Sequence, residues 1–361
     1  MLVRRTWLAV LVAGLSLSLK ALAQPAPPAL PVVAFPFYNA AHAMQGLHQH
    51  LLVPRAQAFA EASQQLLTRT TAYCASPGGA AALSPVRQQW QATLQAWEAL
   101  SSVGTGAVLA RRAQRQIDFW PTRPALIERA MARLPQGEQA MALVGTPAKG
   151  LPALEWLLWR QPAQPATPAC AFAQELTRDV AREAQALLLA ETQTATQAWD
   201  DEDHQDAARQ GMEEWINQWL GGLERLRWAQ MEKPLKAAPA GQRPAYARQA
   251  SGSDAASWQT QWRTLREQAG LTDAQRRAPP QPGLALIPIE ALLMGQGHLA
   301  LAARWHTALA QADQAVASAD PTRAPSVLAA SAALKSLNLL FQNEVAGSLN
   351  IPLGFSDADG D

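Results

Sequence analysis

Apolar residues recur every three or four positions along most of this chain, and the alternation that makes strands is rare. Residues 47–73 read as one helix with Pro54 near its first turn, and Trp90, Leu94, Trp97 and Leu100 mark one face of a second. Phe172, Leu176, Val180 and Leu187 share one side of a long third helix that could run to Trp199. Met212, Trp215, Ile216, Trp219, Leu223 and Leu226 form a further stripe. Ser253 is placed to cap a helix carrying Trp258, Trp262 and Leu265. Residues 291–316 and 326–345 complete the set, the latter with Val327, Leu334, Leu337, Phe341 and Val345 on one side. Breakers gather at 76–79, 161–168, 233–244 and 278–283. The pattern predicts an all-α fold: two tandem helical bundles, residues 37–204 and 205–361, packed into one unit. The acidic run at 199–204 is taken as their joint.

The two ends read differently. Arg4 and Arg5, the apolar run from Leu8 to Leu19, and Ala21-Leu22-Ala23 before Gln24 have the order of a cleavable export signal, residues 1–23. The run is shorter than the roughly 20 residues a membrane span needs. No transmembrane span is expected in the mature chain, and the expected location is a bacterial periplasm. A proline-rich leader follows at 24–36. At the other end Asp357, Asp359 and Asp361 alternate as in a calcium loop, without the downstream glutamate that completes one.

Composition narrows the partners. Losing Arg4, Arg5 and Lys20 with the export signal turns the formal net charge of +1 slightly negative, so there is no nucleic-acid footprint. The two cysteines, Cys74 and Cys170, allow a disulfide in an exported protein and equally allow two small buried thiols. The thirteen tryptophans fall mostly on the apolar stripes, where they and Met212, Met231 and Met294 read as core.

One acid stands out. From Leu151 to Trp159 the only charge is Glu155, among residues that prefer to leave water. Pro152 suits the first turn of a helix there. A carboxylate so enclosed must find a cation, hydrogen-bond donors or a proton. A fainter echo of the segment occurs at Pro288-Ile-Glu290-Ala-Leu-Leu, with the glutamate displaced by one position.

Three stretches together resemble the imelysin family, in its periplasmic imelysin-like branch: Arg115-Gln-Ile-Asp118-Phe-Trp120-Pro121, Gly150-Leu-Pro-Ala-Leu-Glu155-Trp-Leu-Leu, and the tail from Leu353 to Asp361. The resemblance implies two helical bundles, export, an association with bacterial iron acquisition, and other periplasmic iron-uptake components as partners. It also brings an older peptidase label, resting on a Gly-x-His-x-x-Glu motif proposed to bind metal. Here Gly150 and Glu155 match and Pro152 stands where the histidine would be, so of the metal ligands only Glu155 carries over. Iron or another divalent metal is admitted as a cofactor by the resemblance; the residues themselves require none.

Other chemistry is not advertised. There is no His-Glu-x-x-His signature and no Gly-x-Ser-x-Gly elbow. His48 and His50 are too close in sequence to share a helical face, and His298 and His306 are two turns apart. Two readings of Glu155 stay open: a structural acid paired with Arg112 or Arg115, or one wall of a ligand cleft shared with Asp118, Arg115 and Trp120. Asp118 itself is expected to cap the turn made by Pro121. The function expected is a non-enzymatic binding or accessory role, with a metallopeptidase or an envelope assembly protein as the alternatives.

Overall fold

The computed structural model describes residues 33–76 and 80–354, and among them there is no strand. The principal helices are α1 (Ala40–Leu47), α2 (Val53–Ala75), α3 (Ser84–Ser101), α4 (Ala113–Ile117), α5 (Pro124–Arg133), α6 (Gly150–Glu155), α7 (Pro168–Ala195), α8 (Gln205–Glu224), α9 (Asp254–Ala269), α10 (Ile289–Gly295), α11 (Leu299–Ala317) and α12 (Ala324–Leu340). The all-α expectation holds. Residues from Ala34 onward cluster into one compact unit. The export signal, most of the leader and the aspartate tail lie outside the described residues.

Helix starts follow local chemistry. Asn39 caps α1 by accepting from the His42 N–H at 2.8 Å, and the His42 ring returns a bond to the Asn39 N–H. Proline occupies the first turn of α2, α3, α5, α7 and α12, where its missing N–H is not needed. The first helix begins earlier than the stripe at 47–73 suggests. It passes through a π turn at His48–Leu52, closed by the Val53 N–H on the His48 carbonyl, and continues as α2 past Pro54. Residues 291–316 are not one helix. Gly297, at φ 82°, breaks them into α10 and α11, because a left-handed residue ends an α-helix. Similarly α7 stops at Ala195, short of Trp199. Ser253 sits at the N-cap of α9, but its side chain makes no cap bond. Its hydroxyl instead accepts from Gln91 Nε2 at 3.1 Å.

Helix α2 packs between α3 and α7, and a disulfide between Cys74 and Cys170 ties the end of α2 to the start of α7, their Cα atoms 5.7 Å apart. Helix α3 also packs on α9, and α1 on α8. The tryptophan stripes are largely core: Trp219, Trp305 and Phe341 form a cluster with ring centroids 5.3–6.1 Å apart. Their indoles are not left unsatisfied, since Trp219 Nε1 donates to the Leu265 carbonyl and Trp305 Nε1 to that of Ala269. The apolar stretch Ala324–Ser348 is long enough to cross a membrane, but its Val327, Leu334, Leu337, Phe341 and Val345 stripe is buried in this core. Met212 and Met231 are buried and Met294 packs at the margin, as expected.

Candidate functional site

The approach of two short helices builds the site. Gly150 opens α6 at φ 69°, and a Cβ there would lie 2.2 Å from the Ile117 carbonyl oxygen. Only glycine allows the start of α6 to press against the end of α4. That contact brings Asp118, the residue after α4, toward Glu155 at the end of α6. Glu155 is buried, as its apolar neighbours predict. Immediately beyond it the helix widens into a π turn, Trp156–Arg160, whose Trp156 carbonyl accepts from the Gln161 N–H at 3.0 Å.

The cation is Arg248, and this corrects the expected pairing. Arg112 and Arg115 are exposed and neither reaches Glu155. Arg248 lies in the irregular segment before α9 and is only 3 % exposed. Its Nη2 donates to Asp118 Oδ1 at 2.5 Å, and its Nε lies 4.0 Å from Glu98 Oε1 on α3. Its backbone N–H donates to Asp254 Oδ1 at 2.7 Å, in the first turn of α9. Glu155 Oε1 accepts from the Ser251 N–H at 2.8 Å, in the same loop. Asp118 is therefore an ion-pair partner rather than a cap for the Pro121 turn.

Four carboxylates surround one arginine, and burial raises the pKa of three of them. Burial pushes Glu98 up to about 7, against the pull of Arg248 and the Ser257 hydroxyl that hydrogen-bonds it. Burial raises Asp254 to about 6, opposed by its bond from the Arg248 N–H. Glu155 is raised for the same reason, with Arg248 and Ser251 opposing. Burial disfavours the charge on Arg248, but Asp118, Glu98 and Glu155 outweigh it and hold its pKa above the ordinary arginine value. The balance is incomplete: Glu98 Oε2 and Arg248 Nε and Nη1 are buried without a hydrogen bond.

A cleft of about 240 Å³ opens over the Asp118–Arg248 pair. Its lining includes Gln114, Arg115, Asp118, Trp120, Gln230 and Arg248. Trp120 is 44 % exposed, in contrast to the core tryptophans. A further π turn, Arg225–Glu232, contributes Arg225, Ala229 and Gln230 to the wall. Of the cleft residues read from sequence, Asp118, Arg115 and Trp120 come together here; Glu155 joins through Arg248 from beneath and does not line it. Sequence reasoning missed Arg248, Glu98 and Asp254. Glu98 carried the same signal as Glu155, a lone acid beside Trp97 and Leu100 on an apolar stripe.

A metal does not fit this arrangement. Pro152 offers no side-chain ligand atom, and Glu155 Oε1 is engaged by a backbone N–H. The space among the acids holds a guanidinium, and among the described residues no group of three or more His, Cys, Asp or Glu is placed to hold an ion.

Comparison with known proteins agrees with the fold. The family model described as Imelysin matches residues 52–340. An imelysin-like protein from Psychrobacter arcticum 273-4 superposes with a TM-score of 0.72 at 19 % identity, covering 90 % of this chain and 100 % of that one. A protein described as an iron-regulated protein A precursor, from Parabacteroides distasonis ATCC 8503, superposes with a TM-score of 0.67 at 13 % identity, covering 86 % and 95 %. No curated protein matches the sequence significantly.

Proposed function

The chain belongs to the imelysin family, and from that premise we propose that it is an exported, non-enzymatic accessory protein of bacterial iron acquisition, which binds a ligand or partner at the Asp118–Arg248 cleft. The observation that carries the reading is the arginine. Where the family's motif calls for a histidine and a glutamate to share a cation, this chain has Pro152 and a glutamate facing Arg248. A dication there would be repelled by the guanidinium and would have to displace it from Asp118. The acids instead hold Arg248 in place under the cleft, a rigid charged floor suited to recognition.

The iron association is supported by the structural neighbour described as an iron-regulated protein A precursor. Export is supported by the signal-like order of residues 1–23 and by the Cys74–Cys170 disulfide, a bond characteristic of oxidising compartments. Purified protein incubated with zinc and then dialysed is expected to retain no stoichiometric metal and to leave an unfolded protein substrate intact. Cleavage that Glu155→Gln abolishes would establish a peptidase and end this reading. N-terminal sequencing of the protein from the periplasmic fraction should begin near Gln24, and its abundance should rise when iron is withdrawn; constant abundance would sever the iron link.

A further inference from the structure

We propose that the cleft binds a small organic carboxylate, with Arg115 as its charged anchor and Trp120 as the wall for its apolar body; this names a ligand class for the site proposed above and rests on that placement. The charges of the lining are unevenly paired. Asp118 is the one carboxylate among the lining residues, and its Oδ1 already accepts from Arg248. The Gln230 carboxamide oxygen accepts from Gln261 Nε2 at 2.8 Å, and its N–H₂ remains to be offered. The lining arginines are Arg115, Arg225 and Arg248. Among the described residues the Arg115 guanidinium makes neither an ion pair nor a hydrogen bond, although the side chain lines the cleft. Arg248 is sealed beneath the cleft, its Nε and Nη1 out of reach of a ligand, so the accessible charge of the lining falls to Arg115. An unpaired guanidinium at the cleft wall favours a negatively charged ligand, and the planar fork of arginine matches a carboxylate in two parallel hydrogen bonds.

The size and sign of the charge narrow the class further. Asp118 stands in the lining beside Arg248, so a multiply charged anion meets more repulsion than a singly charged one. Phe119 and the exposed Trp120 offer apolar surface on one side. At about 240 Å³ the space is below the range that holds drug-sized molecules, roughly 300–1,000 Å³. A monocarboxylate with a compact planar body satisfies all three limits.

The test is calorimetric titration of the purified protein with benzoate, succinate and inorganic phosphate, with tetramethylammonium as the cationic control. Benzoate is expected to bind saturably and tightest, succinate weaker, and phosphate and tetramethylammonium not measurably. Arg115→Gln, an exposed change that leaves the unliganded melting temperature in place, should weaken benzoate about tenfold. Trp120→Ala should remove the preference for benzoate over succinate. The proposal is overturned if neither carboxylate binds saturably, if phosphate or the cation binds in preference, or if Arg115→Gln leaves benzoate affinity unchanged. None of these outcomes involves metal, cleavage or iron, so they bear on the ligand class and leave the preceding reading to its own tests.

Discussion

Glu155 and Glu290 are the same kind of residue in two different predicaments. Each is a buried glutamate on a short helix with a proline close before it, and each accepts one loop N–H at 2.8 Å, from Ser251 and from Leu271. Each also has an arginine. Glu290 has Arg276 directly on its Oε1, and that arginine side chain is 30 % exposed, with His306 Nδ1 3.7 Å away. Glu155 shares a sealed Arg248 with Asp118 and Glu98, and touches it only through the field. One acid paired with one half-wet arginine is a staple between elements. Several acids around one dry arginine form a site whose charge is unbalanced, and burial raises Glu98, Glu155 and Asp254 there.

The strongest way to break that distinction is to remove each arginine. Arg248→Met leaves its acids without a buried counter-charge and should cost about 3–5 kcal/mol in urea denaturation. Arg276→Met leaves Glu290 with the Leu271 N–H and the neighbouring His306 and should cost about 1–2 kcal/mol. Equal losses would make the two sites energetically alike.

The next effect is pH dependence. A carboxyl whose folded pKa is raised holds a proton that the unfolded chain has released. Its contribution is thus greatest below the unfolded pKa and declines as pH climbs to the folded value. For Glu98 that window runs from 4.5 to about 7, and for Asp254 from 3.8 to about 6. Across it each group should lose up to about 3 kcal/mol. Comparing melting curves of the wild type and Glu98→Gln from pH 5 to 7.5 isolates the glutamate's share. The variant should show the flatter profile, and parallel profiles would mean Glu98 is ionised throughout.

The smallest effect sharpens the comparison from the glutamate's side. Glu155→Gln keeps an acceptor for Ser251 and removes a charge that burial already disfavours, so stability at pH 7 should change by less than about 1 kcal/mol. A loss of several would show Glu155 to be the main counter-ion of Arg248, and the first site would then resemble the second.

The apolar stripes made most of the fold legible, because burial of one helical face is a local, periodic demand on sequence. Glu155 was legible on the same logic, as a charge where the stripe forbids one. Its arginine was not. Ser251 and Glu155 are 96 residues apart, and Arg248 sits in a stretch with no periodicity, where nothing in the pattern marks an arginine as buried. The break at Gly297 was also hidden, since the apolar spacing carries on across it while the backbone turns left-handed. The tie between Cys74 and Cys170, left open by spacing alone, depended on α2 and α7 lying side by side.

The π turn at Arg225–Glu232 has a further consequence for the cleft wall it forms. A π turn holds one residue more per hydrogen-bonded ring than an α turn, so the chain there is overfilled relative to an ordinary helix. Deleting a single residue within it would let the segment relax to α geometry and rotate everything after the deletion by about 100°. Ala229, Gln230 and Pro234 would then swing out of the wall together. The shape of the cleft is therefore encoded in a count as much as in side-chain identities: a one-residue change in length here would remodel the wall more than most substitutions in it.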